Sequence, residues 1–295
     1  MSLAQNAETL GRMAVVRQLA GLRELVAGWH RNGERVGVVP TMGALHAGHM
    51  ALVEAARRDC DRVIATIFVN PKQFNRSDDL TGYPRDEASD AAKLAAAEVD
   101  VLFTPPLEEV YPAGFQTKVS VPGLSDCLCG LTRPGHMDGV ATVVAKLFLM
   151  TAADFAYFGE KDYQQLLIVR RMARDLDIPV EIVPVPTVRD ADGVALSSRN
   201  AQLTAAQRAE APAIYRCLTA MAERLAGEGG PAGPILAWGR AELQKAGIEK
   251  LDYLELRCSE NLEEMNQLDR PARLFMAGWM GSVRLIDNIA VPERA

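Results

Sequence analysis

The chain has 295 residues, 48% hydrophobic, 24% charged and 6% aromatic, an ordinary balance that excludes a disordered, collagen-like or disulfide-scaffold chain. Thirty-two Lys and Arg against 38 Asp and Glu leave a net charge of −6. That excludes broad electrostatic binding to nucleic acid or an anionic membrane, so an anionic ligand would need a local basic cluster. The opening MSLAQNAETLGR has neither the basic nor the apolar region of a secretory signal, and the most apolar long run, Ala141 to Gly159, is interrupted by Lys146 and Asp154. The chain therefore reads as cytoplasmic, without a membrane span. Its five cysteines, Cys60, Cys127, Cys129, Cys217 and Cys258, are odd in number and scattered, which predicts free thiols. Cys127 and Cys129 lack nearby partners at the spacing of a zinc site.

Taken in chain order, Val16, Leu19, Leu22, Val26 and Trp29 recur every three or four residues and predict an amphipathic helix ended by Gly33. Residues 35–40, with three valines, read as a buried strand, 43–48 as a loop and 49–58 as a helix. A second buried strand is predicted over 61–70, a polar loop over 71–84, an Ala-rich helix over 85–98 and a third strand over 99–104. Helix, strand, helix and strand then follow over 138–151, 154–158, 162–175 and 179–185. Apolar strands separated by helix-length segments predict βαβ units and a doubly wound parallel sheet, an α/β fold of Rossmann-like type.

The texture changes after that. Residues 188–196 read as a short hairpin turning at Asp192-Gly193, 205–226 as one long helix, 227–234 as a Gly/Pro linker and 235–246 as a helix. Three strand candidates, 251–256, 273–276 and 282–286, have no long helix between them, and short gaps favour antiparallel pairing. We expect a domain over 1–187 and a smaller C-terminal α+β domain over 188–295.

Five constellations can carry chemistry. Pro40-Thr-Met-Gly-Ala-Leu-His46-Ala-Gly-His49 runs from a strand end into a helix start, where backbone N–H groups and partial positive charge suit a phosphate. Gly43 and Gly48 would let the backbone approach it. His46 and His49, two of only four histidines, lie three apart and can donate to charge that grows in a transition state. Phe158-Gly-Glu-Lys161-Asp162-Tyr-Gln-Gln165 also follows a strand and opens a helix. There Gly159 would allow a tight turn, Lys161 would bring a compact positive charge, Asp162 would cap, and Gln165 would face the crevice. Leu196-Ser-Ser-Arg199-Asn200 offers two hydroxyls and a guanidinium for a phosphate clamp. Asn70-Pro-Lys-Gln73 places amides at a strand end, and Arg133-Pro-Gly-His136 places a cation and an imidazole before a helix; a plain turn explains either equally well.

His46-x-Gly-His49 followed far downstream by a Ser-Ser-Arg loop resembles the HIGH-type nucleotidyltransferase superfamily. The ordered set of the histidine turn, Phe68-Val-Asn-Pro-x-Gln-Phe74, Tyr83-Pro-Arg85, Gly135-His136, Phe158-Gly-x-Lys-Asp-Tyr-Gln-Gln165, Leu196-Ser-Ser-Arg-Asn200 and the tail Arg284-Leu-Ile-Asp-Asn288 resembles the pantoate–β-alanine ligases. That resemblance implies condensation of pantoate with β-alanine at the expense of ATP, through a pantoyl adenylate, with release of AMP and pyrophosphate. It implies an ATP site lined by Met42, Gly43, Ala44, Leu45, His46, Ala47, Gly48 and His49, by Gly159, Glu160, Lys161 and Asp162, and by Val188, Leu196, Ser197, Ser198 and Arg199. His49 would be the proton donor, with His46, Lys161 and Arg199 beside it in the chemistry. Gln73 and Gln165 would hold pantoate, Gln73 would also meet β-alanine, and Asn70, Arg133 and His136 would complete the substrate site. Mg²⁺ would ride on the ATP phosphates without an assigned protein ligand, and the chain would form a homodimer. Two alternatives stay open: another nucleotidyltransferase of this type acting on a phosphate monoester, and a non-catalytic nucleotide sensor.

Overall fold

Strands buried on both faces need near-continuous apolar runs, and those runs build the first sheet of the computed structural model, which describes residues 8–74 and 80–293. Its strands are β1 (Glu8–Leu10), β2 (Met13–Val16), β3 (Val36–Thr41), β4 (Arg62–Ile67), β5 (Val101–Phe103), β6 (Phe155–Gly159) and β7 (Glu181–Val185). They lie in the order β1-β2-β5-β4-β3-β6-β7. Every pairing is parallel except β1 with β2. From β3 the chain steps to β4 and β5 on one side, and later returns to place β6 and β7 on the other. In open sheets of this kind, ligands sit beyond the carboxyl ends of the strands at such a reversal. Those ends are Thr41 of β3, which leads into the histidine turn, and Gly159 of β6. Val39, Val53, Ala65, Leu102 and Tyr157 are enclosed in the core on one face of the sheet.

The first departure from expectation is at the start. Val16 fits the helical spacing but ends strand β2, where it pairs with Phe103, and the helix begins at Leu19. Residues 75–79 of the loop expected over 71–84 lie outside the described residues, and the turn Pro71–Gln73 before them is a short 3₁₀ helix.

Two compact units divide the chain. One runs to Glu160 and takes up again over Gln165–Pro186; the other comprises Lys161–Gln164 and everything from Thr187. Lys161, expected in the first domain, thus groups with the second unit. That unit holds strands β8 (Lys250–Cys258), β9 (Ala272–Met280) and β10 (Val283–Val291), antiparallel in the order β10-β9-β8. Helices Pro212–Glu228 and Gly233–Lys245 cover a core containing Leu218, Met221, Leu254, Leu274 and Met276.

The single helix expected over 205–226 is two. Ala205–Glu210 is capped by Thr204 and Gln207 in a reciprocal box, and Pro212 opens the next helix. Proline has no N–H to give and suits the first turn, so the break falls there. The hairpin over 188–196 forms with one bridge, Arg189 to Ala195, and Gly193 takes φ +93°. Among the described residues no helix is long and apolar enough to cross a membrane, and the five cysteines are buried and form no disulfide.

Candidate active site

The histidine turn is held from behind by a residue the motif does not contain. Gly43 (φ 83°) and Ala44 (φ 53°) both take the left-handed region, which is costly for an alanine unless its surroundings enforce it. The enforcing group is Asp90, 1% exposed on the helix Glu87–Ala96. Its carboxylate accepts from Ala44 N at 2.7 Å and Leu45 N at 2.9 Å. Lys93, one turn on, donates to Leu45 O at 2.8 Å and lies 3.4 Å from Asp90. A Cβ on Gly43 would come within 3.1 Å of the Asp90 carboxylate, so this glycine serves the clamp as well as the turn. A cavity of about 440 Å³ opens beside it, walled in part by Met42, Gly43, Phe68, Arg85 and Thr104.

His46 caps the helix Ala47–Asp59. Its Nδ1 accepts from Gly48 N at 3.1 Å, while His49 Nδ1 accepts from His46 N at 3.3 Å. The two rings stand 4.1 Å apart, tilted by 43°. A neutral imidazole that accepts at Nδ1 carries its proton on Nε2, so the cap fixes both tautomers and makes Nε2–H the donor of each ring. The expectation that the helix-start amides themselves receive phosphate changes here. Those of Ala44, Leu45, His46 and Gly48 are engaged as above, and those of His49 and Met50 donate to His46 O. The side-chain donors of this turn are the imidazole Nε2–H groups.

A second cluster joins the two weakest sequence motifs. Asn70, fully enclosed, caps the turn Pro71–Gln73 and donates to Gln73 Oε1 at 3.1 Å and Gly139 O at 3.0 Å. It accepts from Tyr111 OH at 2.9 Å; burial pushes the Tyr111 phenol far up, so it stays a donor. Gln73 Nε2 reaches Met42 Sδ at 2.7 Å. Arg133 donates to His136 Nε2 at 2.9 Å, and an arginine has no acceptor, so the His136 proton lies on Nδ1, which donates to Gln73 O at 2.7 Å. The structure thus gathers Met42, Asn70, Gln73, Arg133 and His136. Gln165 stands half-buried in the helix Tyr163–Asp175 and, among the described residues, makes no hydrogen bond to that cluster.

The third group belongs to the second unit. Lys161 lies in the 3₁₀ turn Glu160–Asp162, 3.9 Å from an exposed Asp162 carboxylate. Its carbonyl accepts from Asn288 Nδ2 at 2.8 Å. Ser197 caps the 3₁₀ turn Ser198–Gln202 through Arg199 N at 3.3 Å, and Val188 O receives Leu196 N at the hairpin's base. A pocket is lined by Lys161, Ser197, Arg199, Asn200, Tyr215 and Arg284, among others. Among the described residues the Arg199 guanidinium has no ion-pair partner. Gly159 differs from expectation: its φ is not positive, and a Cβ there would meet no protein atom within 4 Å. Neither a tight turn nor packing demands that glycine.

Sequence reasoning missed Asp90, Lys93, Tyr111 and Gly139. Only Asp90 left a signal, as a carboxylate on the apolar face of an Ala-rich helix, where an unpaired charge would be costly.

The family model described as pantoate-beta-alanine ligase matches residues 14–290. A pantothenate synthetase of Chelativorans sp. (strain BNC1) is 56% identical over 281 residues, 95% of this chain and 99% of the relative. The crystal structure of a pantothenate synthetase from Thermus thermophilus superposes with a TM-score of 0.88 at 50% identity, covering 94% of this chain and 99% of that one. A pantoate-beta-alanine ligase from Francisella tularensis, solved with Beta-gamma ATP and β-alanine, gives a TM-score of 0.79 at 34% identity, covering 94% and 97%.

Proposed function

The chain belongs to the pantoate-beta-alanine ligase family, and on that premise we propose how its residues divide the reaction. The protein is an ATP-dependent ligase that joins pantoate to β-alanine to form pantothenate. The pantoate carboxylate attacks the α-phosphorus and pyrophosphate leaves. The β-alanine amine then attacks the acyl carbon, loses a proton, and AMP departs. The first step needs stabilised phosphate charge rather than a protein nucleophile.

His46 and His49 supply that stabilisation through Nε2–H, with His49 as the proton donor. Lys161 and Arg199 bring fixed positive charge to the phosphates, and Ser197 and Ser198 bring hydroxyls. Met42 to His49, Gly159 to Asp162, Val188 and Leu196 line the nucleotide. Gln73 and Gln165 hold pantoate, and Gln73 also meets β-alanine. Asn70 and His136 grip Gln73 at its side chain and carbonyl, and Arg133 fixes His136 in the tautomer that does so, so these three act by orienting the glutamine. Mg²⁺ accompanies ATP on its phosphates. Among the described residues no three His, Cys, Asp or Glu gather to hold an ion. A cytoplasmic homodimer is the form that the family resemblance supports. No observation favours a phosphate monoester as acceptor.

One observation carries the residue assignment: the helix cap that consumes both Nδ1 atoms and so leaves Nε2–H as the donor of each ring. Pyrophosphate and AMP release, followed with pantoate alone, β-alanine alone and both, tests the scheme. Pantoate alone should release about one pyrophosphate per site, and AMP should appear on turnover only with both. AMP formed from ATP and β-alanine alone would refute the order of steps.

A further inference from the structure

Strand β10 carries two consecutive buried polar residues, Asp287 at 5% and Asn288 at 3% exposure. Buried polar groups persist only where partners repay their desolvation. Successive residues of a strand point to opposite faces, and these two reach different segments of the second unit. Asp287 takes a two-pronged pair from Arg189, at 2.7 and 2.8 Å. Arg189 also donates to Gly193 O across its own hairpin at 3.0 Å and stacks 4.0 Å over Tyr215. Asn288 donates to Lys161 O at 2.8 Å, and its other amide atom receives Arg273, whose guanidinium lies 3.9 Å over Tyr163. The Lys161–Tyr163 segment is therefore gripped by its carbonyl and by its ring. The hairpin that runs into Ser197–Arg199 is gripped through Arg189.

We propose that Asp287 and Asn288 are positioning residues for the ligase reaction, setting Lys161 in register with the Ser197–Arg199 loop so that both cations meet the ATP phosphates preformed. The proposal rests on the phosphate role assigned above to Lys161 and Arg199.

The test uses the full chain and pantoate-dependent pyrophosphate exchange, with pantoate affinity measured separately by equilibrium titration. Asn288→Asp keeps the acceptor for Arg273 but removes the donor to Lys161 O. It should raise the KM for ATP about tenfold, the scale of one lost buried hydrogen bond, while pantoate affinity stays within about twofold. In a Lys161→Ala background the same substitution should add less than about twofold, because no ammonium remains to misplace. An unchanged ATP KM, an equal loss for pantoate, or the full tenfold effect repeated without Lys161 would each overturn the proposal. If Lys161→Ala itself leaves the ATP KM unchanged, the phosphate assignment falls and this inference with it. Should Asn288→Asp fail to fold, Asp287→Asn carries the same expectations through Arg189, with Arg199→Ala as the background.

Discussion

An imidazole is an unusual choice for a helix cap, since asparagine, aspartate and serine do that work with shorter, stiffer side chains. His46 caps through Nδ1, and what it adds over asparagine is the second ring nitrogen. The two roles can be separated. His46→Asn keeps an acceptor for Gly48 N, so thermal unfolding should move little, yet pyrophosphate exchange should fall about 10²–10³-fold for one lost transition-state donor. His46→Ala should lose the exchange to the same extent and, in addition, about 1 kcal/mol of cap. Wild-type exchange in the asparagine variant would leave the turn with a structural role only. Asp90 works at the same scale from the opposite side. By satisfying Ala44 N and Leu45 N it stabilises a left-handed alanine that would otherwise relax.

The helix His136–Thr151 meets the turn Pro71–Gln73 through a glycine as well as through the His136 ring. Gly139 faces the turn Pro71–Gln73, and a Cβ there would fall 2.3 Å from Lys72 O and 2.7 Å from Gln73 Cα. Gly139→Ala must push that turn away and take Gln73 with it. Pantoate affinity should fall about tenfold or more, with an overpacking cost of about 1–3 kcal/mol in stability, while the KM for ATP changes little. Calorimetric titration with pantoate checks this, and wild-type affinity would separate Gln73 from pantoate. The sequence makes such a site half legible. Strands such as Val36–Thr41 and Arg62–Ile67 announce themselves because a central parallel strand must be apolar throughout, and the histidine turn announces itself by composition and by its place after a strand. Asn70, Gln73, Arg133 and His136 read as ordinary turns because the bonds that join the two motifs to each other and to the helix, His136 with Gln73 and Asn70 with Gly139, span 63 and 69 positions, and local pattern holds no record of such pairing. Val16 misleads for the complementary reason: helical spacing is a local property, while its pairing with Phe103 is not.

At the scale of the whole molecule, the net charge of −6 repels ATP, so affinity must come from small cationic groups set into the fold. The substrate roles proposed here are distributed unevenly over the two units. Asn70, Gln73 and His136, with His46 and His49 of the histidine turn, belong to the first, whereas Lys161, Ser197, Ser198 and Arg199 belong to the second. Each unit has its own enclosed core, so a ligand that engages residues of one unit stabilises that unit against local opening first. A ligand at 100 times its Kd contributes about 2.7 kcal/mol, enough to slow exchange about 100-fold wherever opening destroys the site. Hydrogen exchange read by mass spectrometry should therefore separate the two substrates. Pantoate alone should protect the segments around Asn70–Phe74 and Gly135–Val140 and leave the amides of Asp190, Gly193 and Leu196 as they are. Those three amides close the hairpin by donating to Val194 O, Asp190 O and Val188 O, so they report whether it opens. Adding ATP should protect them, together with Asn200 and Leu203 beyond the Ser-Ser-Arg loop, and Lys161→Ala should abolish that second effect while sparing the first. Protection of the hairpin by pantoate alone, with no change around Gln73, would overturn the placement of pantoate at Gln73.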